Sequence, residues 1–296
     1  MYNNQGVVRM TIEEKKNIIA SIKQEKKVFD ILGIKRMNDY DMKIAKTMAG
    51  FIPNVLPVIM PTGSIITQKK AFDKSINYIE MFGPEITNKT KTIISNVKIY
   101  PMFNDFLTYK THINYSFNPE VNQVVKNSGY VDHYKTPKLY DEVSPLWIAH
   151  ENIHALKETN YDEYVDVQIL GDVIPMFLEL VMSNQANNET TSTLLQNRLF
   201  LLKNEYTATK EMKKHLQKNL YDIFATRAMQ YLNSFNYALQ LYQIYRSDKE
   251  NVISKIKEVL VGQSTTRNML TEFGLLNECD KEKVQYEMNK VISRIK

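Results

Sequence analysis

A mainly helical fold with a small sheet ahead of its one chemical motif is the expectation from three features of the chain. From about Asp141 onward nearly every segment carries apolar residues at helical spacing. Before that point KTHINYSF alternates in the manner of a strand, and SGYVDHY is its candidate partner. Pro53, Pro57 and Pro61 interrupt helix formation around VLPVIMPTGSIIT, which reads as extended.

Residues 11 to 50 read as two helices, with Gly33 and Asn38 marking the break. A third helix is expected from about Gln68 to Met81. The strands that follow would form a sheet whose edge could hold an extended peptide by backbone pairing. Within the helical region, breaks are expected at Asn187 to Glu189, Asn204, Ser247 to Lys249, Gly262 and Gly274. A division into an N-terminal helical lobe, 1–100, and a second lobe, 101–296, is the expected organisation, with one continuous domain as the alternative. The chain has no low-complexity segment and no fixed-period repeat.

Composition excludes several classes. Hydrophobic residues at 43% and charged residues at 24% describe a globular chain, and no apolar run approaches the length that spans a bilayer. The start, MYNNQGVVRMTIEEKKNIIASIK, is amphipathic and lacks the apolar centre of a signal peptide, so a cytoplasmic location without membrane association is expected. A single cysteine, Cys279, allows no internal disulfide. The net charge of +5 does not point to nucleic acid, because stretches such as EEKK, KQEKK and KEMKKHLQK intersperse acids at helical spacing and read as solvated helix faces.

The chemistry is concentrated in LYDEVSPLWIAHENIHALKETNYDEY, where His150, Glu151 and His154 form H-E-x-x-H. On a helix, residues four apart share a face, so two imidazoles can reach one zinc ion while the glutamate between them handles a water's proton. Pro145 suits a first turn, and Leu146, Trp147, Ile148, Ala149, Ile153, Ala155 and Leu156 supply the apolar surface of a buried helix. The spacing reads first as a zinc-dependent peptidase, against the bland alternative of histidines that satisfy ordinary hydrogen bonds.

A catalytic zinc usually takes three protein ligands and leaves one position open. Glu158 is about 12 Å along the helix axis from His150, too far to share a metal. No third histidine follows the motif closely, so the third ligand must come from another helix. Glu179 is the leading candidate, because it lies in the apolar stretch VIPMFLELVMSN, where an isolated carboxylate would be costly to bury. A charged residue on the solvent side of an amphipathic helix is the equal alternative at this point.

These segments resemble the oligoendopeptidase F and thimet oligopeptidase family of zinc metallopeptidases. That family has H-E-x-G-H on one helix and a zinc-binding glutamate on the next, and here His154 to Glu179 is 25 residues. FGPEITNKTKTIISNVKIYP and TYKTHINYSF are similar to the helix and strands ahead of the family's motif. MQYLNSFNYALQLYQIY and VLVGQSTTRNMLTEFGLL are similar to its C-terminal region, so the likeness covers about residues 65 to 275. The resemblance implies a helical zincin-like fold, zinc ligands at His150, His154 and Glu179, and Glu151 as general base.

Three departures accompany it. Ile153 stands where the family usually has glycine. Thr226 and Met229 fall where tyrosines that serve the transition state are expected, which leaves Tyr231 as the matching aromatic position and Tyr237, His133 and Arg227 as further candidates. At 296 residues the chain is about half the usual length for such relatives, so its cleft should be more open or be covered by a second subunit in a homo-oligomer. The expected activity is zinc-dependent hydrolysis of short peptides. The alternative is a catalytically impaired relative that binds a peptide or partner.

Overall fold

The structure, a computed structural model, describes residues 11–32, 36–54, 65–95, 98–101, 109–112, 115–118, 123–126, 130–135, 139–140, 144–157, 170–186, 189–276 and 281–293. Gly33, Pro57, Pro61, Asp141 to Val143 and Cys279 lie outside the described residues. The chain is mainly helical.

Helices α1 (Ile12–Leu32) and α2 (Asp39–Phe51) are separated where Asn38 stands, and the reason is a cap. The Asn38 Oδ1 accepts a hydrogen bond from the Asp41 amide at 2.8 Å, satisfying a backbone donor that the new helix cannot satisfy itself. After β1 (Ile65–Ile66), Thr67 caps α3 (Gln68–Ile79) in the same way. The expected helix to Met81 changes to a single 3-10 turn at Glu80–Phe82. Gly83, at φ +92°, then turns the chain into α4 (Pro84–Ser95), a backbone angle that a side chain would strain.

Strands β2 (Lys98–Pro101), β3 (Tyr109–His112), β4 (Tyr115–Asn118), β5 (Gln123–Lys126), β6 (Tyr130–Lys135) and β7 (Leu139–Tyr140) follow. They are short and divided among three ladders: β2 parallel to β6 with β3 antiparallel on its other side, β4 with β5, and β1 with β7. Of KTHINYSF, residues 110–112 belong to β3 in one ladder and residues 115–117 to β4 in another.

The remaining helices are α5 (Ser144–Lys157), α6 (Val173–Ala186), α7 (Glu189–Met212), α8 (Lys218–Ser247), α9 (Lys249–Leu260), α10 (Thr266–Glu272) and α11 (Lys281–Ile292). At ~1.5 Å per residue α8 is about 45 Å long, and it packs against α1, α2, α6, α7, α9 and α11. Every residue of α8 from Leu232 to Tyr242 is buried, the signature of a helix enclosed on all sides. Helix α6 is equally enclosed, with all residues from Val173 to Ser183 buried. Ile44, Met48, Phe82, Ile86, Ile153, Phe177 and Phe235 belong to one hydrophobic core that joins α2 and α4 to these later helices.

Two helix boundaries differ from the expectation. Helix α7 runs through Asn204 without a break, because a half-buried asparagine costs a helix only about 0.6 kcal/mol relative to alanine, and burial of Leu195, Leu199, Leu202 and Met212 outweighs that. The charged run KEMKKHLQK is not one helix face: α7 ends at Met212, a turn follows, and α8 starts at Lys218. At the far end of α9, Gly262 (φ +79°) closes the helix as the Gln263 amide reaches back to the Glu258 carbonyl at 2.8 Å. Among the described residues no helix is long and apolar enough to cross a membrane.

Lys203 ties α7 to the end of α2. Its Nζ donates to the Ala49 carbonyl at 2.9 Å and to the Ile52 carbonyl at 2.8 Å, placing a positive charge at the negative end of that helix. Lys203→Met should lower unfolding free energy by about 1–2 kcal/mol, measured by chemical denaturation, because two carbonyls lose a charged donor.

Candidate metal centre

The motif helix is held on two sides. Leu146, Ala149, Ile153 and Leu156 enter the main core, while Ile148 packs with Ile66, Ala71 and Phe72 of β1 and α3. Ile153 is fully buried, so a bulky side chain fills the space behind the helix where the resembled family has glycine. This packing fixes the azimuth of α5 and turns His150 and His154 to one side. Their ring centroids are 5.0 Å apart with planes at 65°, the geometry of imidazoles one helical turn apart.

Asp172 meets them from the start of α6. Its carbonyl accepts the Met176 amide at 2.9 Å, so it is the residue at which α6 begins. Its Oδ1 is 3.3 Å from His150 Nε2 and 3.4 Å from His154 Nε2, and the two Nε2 atoms are 3.3 Å apart. Three donor atoms on a triangle of these edges match one face of a tetrahedron: ligands about 2.0–2.1 Å from a zinc ion lie about 3.3–3.4 Å from each other. His150, His154 and Asp172 could therefore hold a metal ion.

Glu179 occupies a different place from its two neighbours in chemistry. Two helical turns after Asp172, its Oε1 lies 2.8 Å from the other ring nitrogen of His150, Nδ1. Arg198 of α7 grips the same carboxylate, with Nε donating to Oε2 at 3.0 Å and Nη2 donating to Oε1. The resemblance assigns the third-ligand position to Glu179; in the structure Asp172 is the carboxylate that meets both Nε2 atoms, and Glu179 meets His150 at Nδ1.

The charges explain why these groups are stable together. Burial disfavours a charged His150, but hydrogen bonds to Asp172 and Glu179 outweigh it and push its pKa up to about 10. Burial likewise opposes ionisation of Asp172, yet hydrogen bonds from His150 and His154 hold its carboxyl well below the usual range. For Glu179 burial is opposed by the Arg198 charge and by His150, and its pKa falls to about 2. A buried carboxylate and a half-buried one with one arginine leave a net negative charge. A cation between the carboxylate of Asp172 and the imidazoles answers it, whether a proton on His150 or a metal ion.

Glu151 is half-buried on α5, near enough to His150 for its charge to raise that pKa. Tyr231 of α8 is half-buried and lies in the field of the site, since the Asp172 charge and then burial raise its phenol pKa. Two of the other candidates lie elsewhere. Tyr237 is a core side chain, 1% exposed, and Arg227 pairs with Glu25 of α1 at 2.9 Å. His133 sits on β6 opposite Ile99 and Tyr109. Thr226 donates to the Asp222 carbonyl and accepts the Met37 amide, and Met229 is in the core, so neither reaches the site.

Sequence reasoning passed over Asp172 and Arg198. A signal for Asp172 existed: seven residues before Glu179 puts both carboxylates on one face of a helix, but an aspartate before an apolar helix reads first as a cap. Arg198 left no signal, because it comes from a helix whose register against α6 only the packing sets.

Among solved structures, the chain is similar in fold to the crystal structure of a "putative peptidase" from Chlamydophila abortus, with a TM-score of 0.50 and 16% sequence identity over 97% of this chain. The chain spans about half the length of that protein, 56% of it. No protein-family model matches the sequence, and no curated protein matches it.

Equilibrium dialysis against zinc should load about one ion per chain. Asp172→Ala should abolish that loading, whereas Glu179→Gln should retain it with affinity lower by about 10–100-fold, the usual effect of losing a partner behind a ligand. Equal loss in both variants would make Glu179 a ligand.

Proposed function

We propose that this protein is a zinc-dependent peptidase that hydrolyses short peptides. The observation that carries the reading is the triangle of His150 Nε2, His154 Nε2 and Asp172 Oδ1 beside Glu151, on an H-E-x-x-H helix. Two imidazoles and a carboxylate at these separations suit zinc. The peptidase description of the protein with the similar fold supports the same class.

Zinc held by these residues would supply Lewis acidity toward a peptide carbonyl and toward water. Glu151 is the general base: it accepts the proton of the attacking water and delivers it to the leaving amine. Glu179 holds His150 in the tautomer whose Nε2 lone pair faces the metal position. Tyr231, whose phenol pKa the Asp172 charge raises, is the side chain of α8 assigned to donate a hydrogen bond to the oxyanion, the role for which Thr226 and Met229 are unsuited. The short β ladders ahead of α5 offer backbone edges for an extended peptide.

A second reading, a metal-binding relative that holds a peptide without cutting it, is favoured by one observation. Thr226 and Met229 are absorbed into packing, so a single tyrosine stands where the resembled family uses several. Removing one oxyanion donor commonly lowers turnover by about 10²–10³-fold.

Cleavage of a library of fluorogenic short peptides tests the two readings. The zinc-loaded wild type should cleave, and Glu151→Gln should lose turnover by at least about 10²-fold while keeping its zinc, because proton transfer is removed and the ligands are not. Tight peptide binding with no cleavage in the wild type would establish the second reading.

A further inference from the structure

We propose that Arg198 is a positioning residue for the metal site, acting through Glu179 on His150; this rests on the metal reading given above. The geometry is a chain of contacts across three helices. Arg198 on α7 donates from two nitrogens to both oxygens of Glu179 on α6, and Glu179 Oε1 meets His150 Nδ1 at 2.8 Å on α5. His150 Nε2, on the far side of the ring, faces His154 and Asp172 at 3.3 Å each.

Each link constrains the next. A carboxylate held by a planar two-point fork cannot rotate about its last torsion, as one held at a single point can. Fixed in this way, Glu179 accepts the Nδ1 proton of His150 along one direction, which sets both the tautomer and the plane of the ring. The fork has a second effect. With both oxygens engaged behind the imidazole, Glu179 is kept off the metal, and Asp172 is left as the carboxylate ligand. An arginine placed only for stability needs none of this alignment: a surface position on α7 would serve, and a buried ion pair is weak evidence for stability in any case. Arg198 instead directs its fork into α6 at the one charged position of an otherwise apolar run, VIPMFLELVM.

The test is zinc competition against a chromophoric chelator, together with the visible spectrum of the cobalt-loaded protein, for wild type, Arg198→Met, Arg198→Lys and Glu179→Gln. Arg198→Met should weaken zinc by about 10–100-fold and shift the cobalt bands. Arg198→Lys, which keeps the charge and loses the fork, should fall between wild type and Arg198→Met, and it carries the test if the methionine variant fails to fold. In a Glu179→Gln background Arg198→Met should add little, because the arginine acts through that carboxylate. Wild-type zinc affinity and an unchanged cobalt spectrum in Arg198→Lys and Arg198→Met would overturn the positioning role and leave the metal site standing, even if the melting temperature dropped. A wild-type protein that takes up neither zinc nor cobalt would overturn the metal reading, and the role of Arg198 with it; that outcome is read from the wild type alone.

Discussion

A carboxylate inside an apolar helix is the constraint around which this molecule is organised. Glu179 is surrounded in sequence by Phe177, Leu178, Leu180 and Val181, all buried, and it is only 8% exposed itself. An ionised carboxylate there is tolerable only with compensation on more than one side. Arg198 answers from α7 and His150 from α5, so three helices must meet at one register for the charge to be satisfied. The same meeting brings His154 and Asp172 into line with His150. The electrostatic requirement of the core and the geometry of the group that could hold a metal ion are therefore one arrangement.

The enclosure of α6 and α8 makes that arrangement rigid. A helix buried on all sides has no face along which to slide, since any shift would open voids in a close-packed interior. Asp172 opens α6, Glu179 lies two turns into it, and Tyr231 immediately precedes the enclosed stretch of α8. The donor atoms thus stand on rigid elements, with α5 clamped between the main core and the smaller cluster of Ile66, Ala71, Phe72 and Ile148. Side chains held in this way could take a metal ion without reordering.

Much of the fold was legible because local signals and tertiary packing agree. Asn38, Gly262 and Gly274 mark helix ends by capping or by left-handed backbone, effects contained within a few residues. Asn204 and the run KEMKKHLQK mislead for the opposite reason. At Asn204 a weak local preference yields to burial on the far face of α7. In KEMKKHLQK a helix-compatible composition hides a turn that lets α7 and α8 pack against each other.

The metal centre divides along the same line. The H-E-x-x-H spacing alone determined that His150 and His154 share a helical face with Glu151 between them, because four residues make about one turn in any α-helix. Nothing local says which of Asp172 and Glu179 meets the histidines at Nε2 and which at Nδ1, or sets Arg198 apart from a surface arginine. Which carboxylate faces Nε2 and which faces Nδ1 depends on the depth and rotation at which α6 docks on α5, and that is decided by side chains far apart in the chain packing into one core. The tertiary structure made that choice, placing Asp172 at the histidines' open side and Glu179, held by Arg198, behind them.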